Sequence, residues 1–156
     1  MKKYFLLIVV LFSLISCQEE VKFNNPSFQG VKDNVFWRAV EVKASLNPNG
    51  SLIIEAYTGN EVVTLKTTSA TPQVYVLGTS TSKMATYVLS GDSGIITFST
   101  GIGIGDGQIV ITEYDVVNHT VSGTFKFNLN NIYSNPLVGP TLNFQKGVFY
   151  KVPVSP

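Results

Sequence analysis

The stretch Gln108-Ile109-Val110-Ile111-Thr112-Glu113-Tyr114-Asp115-Val116, then Val117-Asn118-His119, then Thr120-Val121-Ser122-Gly123-Thr124-Phe125-Lys126-Phe127-Asn128-Leu129 decides the fold class. In its second arm Val121, Gly123, Phe125, Phe127 and Leu129 occupy one parity, and Ser122, Thr124, Lys126 and Asn128 the other. Side chains alternate across a strand, so this period of two predicts a half-buried strand. Two such arms joined through a short polar link predict a hairpin. Gly123 inside the second arm predicts a bulge or the close approach of a neighbouring group.

Working outward, the same grammar repeats. Residues 28–32 read as a first strand ended by Asp33-Asn34, and residues 35–46 as a second. Val40, Val42, Ala44 and Leu46 share one face of that second strand, with Glu41, Lys43 and Ser45 on the other. Asn47-Pro48-Asn49-Gly50 is a turn, because proline presets φ and Asn-Gly accepts positive φ. Residues 51–57 and 61–68 continue an antiparallel meander. Strands are expected at 73–78, 83–89 and 94–100. Residues 130–140 read as a long loop, and 141–145 with 148–152 as two closing strands around Lys146-Gly147. No stretch after residue 26 combines helical spacing with caps. About ten short strands at this spacing predict an all-β domain, a single antiparallel β-sandwich or a partly closed β-barrel.

The N-terminus reads as an address. Lys2 and Lys3 precede a nearly unbroken apolar run from Tyr4 to Ile15. A transmembrane helix needs about 20 residues, so this run is too short to span a bilayer. A charged start, a short apolar run and a small residue describe a secretory signal. Leu14-Ile15-Ser16-Cys17 resembles the lipobox of bacterial lipoproteins. The resemblance implies a diacylglyceryl thioether on the Cys17 sulfur, cleavage before Cys17, and acylation of the new amino group. Two or three acyl chains make a durable anchor where one is marginal. Cys17 is the only cysteine, so no intramolecular disulfide is available. Residues 1–16 are then a signal peptide, 17–26 a lipidated tether and 27–156 the folded domain. Glu19-Glu20 behind Gln18 resembles a surface-export signal, which points to the outer membrane or cell surface.

Charged residues make up only 13% of the chain and the formal net charge is +1, so no basic face points to nucleic acid. A neutral, hydroxyl-rich surface suits an extracellular β protein.

Residues 107–153 carry a second resemblance. Gly107-Gln108-Ile109-Val110-Ile111-Thr112, Tyr114-Asp115, Asn118, Thr120 to Phe127 and Lys146-Gly147-Val148-Phe149-Tyr150-Lys151-Val152-Pro153 are similar to strings in a family of uncharacterised Gram-negative lipoproteins. Those proteins share a "vSGTFxF" strand and a final "GxFxxVP" strand. The resemblance implies an all-β fold and an envelope location, and it brings no activity.

Chemistry-bearing residues are few. Gly101 to Gly107 is glycine-rich, but a phosphate loop needs Gly-Lys-Ser/Thr and a following helix; a strand follows, so a turn is expected. Glu113 and Asp115 alternate on one face with Ile109 and Ile111, and paired carboxylates suit acid–base work or a cation. Asp115 also opens the hairpin turn, where an Asx cap is the expected role. His119 is the only histidine, and zinc or a nucleophilic triad needs more partners than the sequence offers. No metal, cofactor or catalytic set is expected. Trp37 and Tyr57 fall opposite the better apolar faces of their strands and are expected as an exposed surface for a glycan or an envelope protein. The domain is therefore expected to be a non-enzymatic binding or structural module. The alternative is a calycin-like carrier of a small apolar ligand, with Gly123 and Ala44 leaving interior room.

Overall fold

The computed structural model describes residues 27–155, apart from 93, 134, 135 and 137. Leu14, Ile15, Ser16 and Cys17, with the expected signal peptide and the expected tether, lie outside the described residues. The elements are β1 (Ser27–Lys32), β2 (Val35–Arg38), β3 (Glu41–Leu46), β4 (Leu52–Tyr57), β5 (Glu61–Thr67), β6 (Gln73–Leu77), β7 (Met84–Gly91), β8 (Gly94–Ser99), β9 (Asp106–Asp115), β10 (Thr120–Asn131) and β11 (Thr141–Ser155). The all-β expectation holds.

The strands form one mixed sheet in the order β2-β1-β11-β3-β4-β5-β7-β8-β10-β9-β6, and β11 also pairs with β10. That extra pairing returns the sheet on itself. The two longest strands, β10 and β11, lie side by side as its spine. Along its other edge β11 carries β1 over residues 144–150, and then, in parallel, β3 at Val154 and Ser155 alone. Likewise β10 carries β9 along Thr120–Asn128 and β8 at Asn130 and Asn131 alone. Two layers result, β2-β1-β11-β10-β9-β6 and β3-β4-β5-β7-β8, joined at two corners. A strand leaving one sheet for another in this way is a recognised means of closing a sandwich.

Long strands keep one face inward only if their parity is adjusted. In β11 Leu142 and Phe144 are buried, then Gly147 and Phe149, then Val152 and Val154. Its register shifts against β10 twice, between the partners of Phe125 and Phe127 and between those of Val121 and Gly123. Each shift is a bulge, which inserts a residue and flips the alternation. Lys146 and Lys151 take φ of 52° and 48° at these places. The Lys146-Gly147 turn expected from sequence is thus a bulge inside one 15-residue strand.

Gly123 pairs with Phe149, and Phe125 pairs with Gly147. A Cβ on Gly123 would lie 2.4 Å from the Phe149 ring, and one on Gly147 would lie 2.4 Å from the Phe125 ring. Each glycine is the seat of its partner's ring, a device that pins register. The room expected beside Gly123 is taken by Phe149. Further rings extend the core: Phe28 stacks on Phe125 at 4.7 Å, Phe125 on Phe127 at 5.4 Å, and Phe144 meets Tyr87 of the opposite layer at 6.3 Å. Burying each phenylalanine contributes about 2–3 kcal/mol relative to exposure.

The strand expected over residues 35–46 is two strands in different layers. Asp33 and Asn34 both adopt positive φ, 46° and 68°, the pattern of a type I′ turn. They fold β2 straight back on β1, with Gly30 opposite Trp37. The chain then crosses at Ala39 and Val40, and Val40, expected in the core, is 83% exposed. From Glu41 onward the expected faces hold, and β3, β4 and β5 form the meander.

Candidate functional site

Trp37 is buried at 5% exposure, which corrects the expectation of an exposed surface aromatic. The parity that placed it outside belongs to β3; β2 is a separate strand with its own phase. Its ring meets Phe28 and Phe144 edge-on, at 6.0 Å and 5.7 Å. A buried indole N–H needs an acceptor, and Trp37 Nε1 donates to Glu61 Oε2 of the opposite layer at 2.6 Å.

Glu61 opens β5 after the Thr58-Gly59-Asn60 turn, and its carboxylate collects four side chains. Oε2 also accepts from Thr58 Oγ1 at 3.2 Å. Oε1 accepts from the Lys32 ammonium of β1 and from the Tyr87 hydroxyl of β7. Lys32 Nζ donates to Tyr87 Oη at 2.9 Å as well and sits 4.8 Å from the centre of that ring. Burial alone raises the Glu61 pKa, but hydrogen bonds from Lys32, Tyr87 and Trp37 outweigh it and hold the carboxyl below its ordinary range. Burial first, then the hydrogen bond to Glu61, pushes the Tyr87 hydroxyl well above its ordinary value. The cluster brings together acid, base and phenol, yet each bonds another member. It is a latch between the β1–β2 hairpin and the opposite layer. No motif announces it, since Lys32, Trp37 and Tyr87 lie 24 to 29 positions from Glu61.

The acidic pair on β9 lies on the outer face, not on the face of Ile109 and Ile111. The register of β9 shifts where Ser122 pairs with Glu113 and Gly123 with Ile111. This bulge at Thr112 turns Glu113 outward, away from the buried face of Ile109 and Ile111. The face expected to be shared with Ile109 and Ile111 is therefore overturned, while Glu113 and Asp115, in unbroken register opposite Ser122 and Thr120, stay on the same side as each other. Asp115 caps the hairpin turn as expected: Oδ1 accepts from the amides of Val117 and Asn118, both at 2.9 Å, and Oδ2 accepts from Asn118 Nδ2 at 2.7 Å. Hydrogen bonds from Asn118, side chain first, hold its carboxyl below the ordinary value.

His119 is an exposed turn residue with φ of 49°. The glycine-rich segment is a packed turn. Gly103 donates its amide to Gly78 O at 2.9 Å. A Cβ on Gly107, where φ is +128°, would lie 2.3 Å from Lys126 O. Tyr57 is half-buried on the outer face of β4, with Lys43 Nζ 5.4 Å from its ring centre. Among the described residues no group of three or more His, Cys, Asp or Glu side chains is placed to hold a metal ion.

One cleft, of about 260 Å³, lies on the outside of the β4–β5 pair. Asn47, Asn49, Ser51, Ile53, Lys66, Thr68 and Ser82 line it. None of these stood out in the sequence as a binding residue: Asn47 and Asn49 read as parts of a turn, and outward polar residues on a strand read as solvated surface.

A family model described as a domain of unknown function, DUF6252, matches residues 24–153. The chain belongs to the DUF6252 family. The DUF6252 match takes in β1 to β10 whole and all but the last two residues of β11. It starts after Cys17 and assigns no activity. Neither the curated proteins nor the solved structures hold a match to the chain.

Proposed function

We propose that this chain is a lipid-anchored cell-envelope protein of the outer membrane or cell surface, and that its β domain is a non-enzymatic binding or structural module. One observation carries the reading: Leu14-Ile15-Ser16-Cys17 stands directly behind a charged, apolar leader. Signal peptidase removes residues 1–16, and acyl chains on Cys17 hold the protein to the membrane. Residues 18–26 then span at most roughly 30 Å, at about 3.3–3.6 Å per residue, so the domain works close to the membrane. The non-enzymatic part draws support from the cluster around Glu61, whose donors and acceptors serve the fold.

Mass spectrometry of the protein extracted from membranes tests this. The expected N-terminus is an acylated Cys17, and Cys17→Ala is expected to move the protein out of the membrane fraction. An unmodified chain retaining Met1 would overturn the anchor.

A further inference from the structure

We infer that the cleft on the outer face of β4 and β5 binds a sugar acid, with the carboxylate on Lys66 and the ring hydroxyls on Asn49, Thr68 and Ser82.

The cleft has one firm wall. Asn47 N donates to Ser51 O at 2.9 Å and Gly50 N to Asn47 O at 2.8 Å, which closes the turn between β3 and β4. Asn49 Oδ1 accepts from Ser51 N at 3.0 Å and from Ser51 Oγ at 2.7 Å, while Asn47 Nδ2 donates to Ser51 Oγ at 2.9 Å. The carbonyl end of the Asn49 amide is thus used, and its Nδ2 donors remain. Ile53 pairs with Lys66 across the ladder and forms an apolar floor. Thr68 and Ser82 close the other side.

Lys66 is half-buried and forms no ion pair or hydrogen bond among the described residues, whereas Lys32 and Lys43 each bond a glutamate. The outward glutamate of β4, Glu55, sits opposite Thr64 rather than Lys66. No Asp or Glu lines the cleft. An unpaired ammonium among hydroxyl and amide donors favours an acceptor-rich anion. A single lysine supplies one positive charge, which balances a monovalent carboxylate and leaves a phosphate dianion half-compensated. The volume falls below the roughly 300–1,000 Å³ of drug-sized pockets, which suits one sugar ring. The inference rests on the binding-module reading but not on the anchor, so failure of either test leaves the other standing.

The test is an amide-shift titration of the full-length chain in detergent micelles with glucuronate, against glucose, acetate and inorganic phosphate. Glucuronate is expected to give saturable shifts at Lys66, Thr68 and Ser82, with a Kd of roughly 1–10 mM. The other three probes are expected to bind at least about tenfold more weakly. Lys66→Gln is expected to weaken glucuronate about tenfold and Lys66→Arg to retain it; each points outward, so the remaining spectrum should be unchanged. Equal binding of acetate or phosphate would make this a plain anion site and overturn the proposal. Equal binding of glucose, no saturable shift, or unaltered binding by Lys66→Gln would overturn it too.

Discussion

The indole N–H of Trp37 donates to the Glu61 carboxylate at 2.6 Å across the gap between the two layers. The bond joins the short edge hairpin to the middle of the opposite sheet. Its neighbours, Lys32 and Tyr87, bond the other carboxylate oxygen. Docking of the β1–β2 hairpin therefore depends on a polar latch as well as on the Phe28 ring.

Glu61→Gln keeps the shape but removes the charge facing Lys32. Both side chains are mostly shielded, at 22% and 15% exposure, so a loss of about 2–3 kcal/mol is expected in urea unfolding. Trp37→Phe is expected to cost less, since the ring contacts remain. Trp37→Ala is expected to cost about 3–5 kcal/mol through the cavity it leaves. A glutamine variant as stable as the parent would show that the latch contributes nothing.

The same carboxyl sets an acid dependence. The folded protein holds the Glu61 pKa below its unfolded value. Its contribution is therefore full above the ordinary carboxylate value and is lost as pH falls through the depressed folded value. Tyr87 acts at the other end: its folded value is raised, so its contribution is full below the ordinary phenol value and fades as pH rises past it. Melting temperature against pH is expected to fall at both extremes, and Glu61→Gln is expected to flatten much of the acid limb.

Gly123→Ala places a methyl 2.1 Å from Val110 O and 2.4 Å from the Phe149 ring. Overpacking of this kind costs about 1–3 kcal/mol. Combining it with Phe149→Leu is expected to cost less than the sum of the two, because the smaller side chain vacates the space. Strict additivity in the double-mutant cycle would sink the seat-and-ring account of this register.

Asp115→Ala removes three hydrogen bonds within an exposed turn. A small fall in melting temperature is expected, less than for Gly123→Ala, with hydrogen exchange accelerated at Val117 and Asn118 and little altered in β10. Acceleration spread evenly through β9 and β10 would show that the cap holds the whole hairpin.

Local alternation made most strands legible, because facing in or out has a period of two that any half-buried strand must show. It read the hairpin of β9 and β10, the meander of β3 to β5, and the Asx cap at Asp115. It failed wherever a bulge reset the phase. Lys146-Gly147 reads as a turn when flanking runs differ in parity, yet a bulge produces the same switch without ending the strand. Thr112 moves Glu113 and Asp115 off the face of Ile109 and Ile111 in the same manner. The cleft at Lys66 and the latch at Glu61 join residues from separate strands, so no single stretch contained either.

The amino-acid order by itself determined an all-β chain and the places of most of its turns, since each follows from short-range backbone and side-chain preferences. Only the closed tertiary structure decided that Trp37 goes inside, that residues 35–46 split between two layers, and that one 15-residue strand ends the domain. Those outcomes come from joining two sheets at two corners, where bulges and burial across the gap outweigh the local pattern.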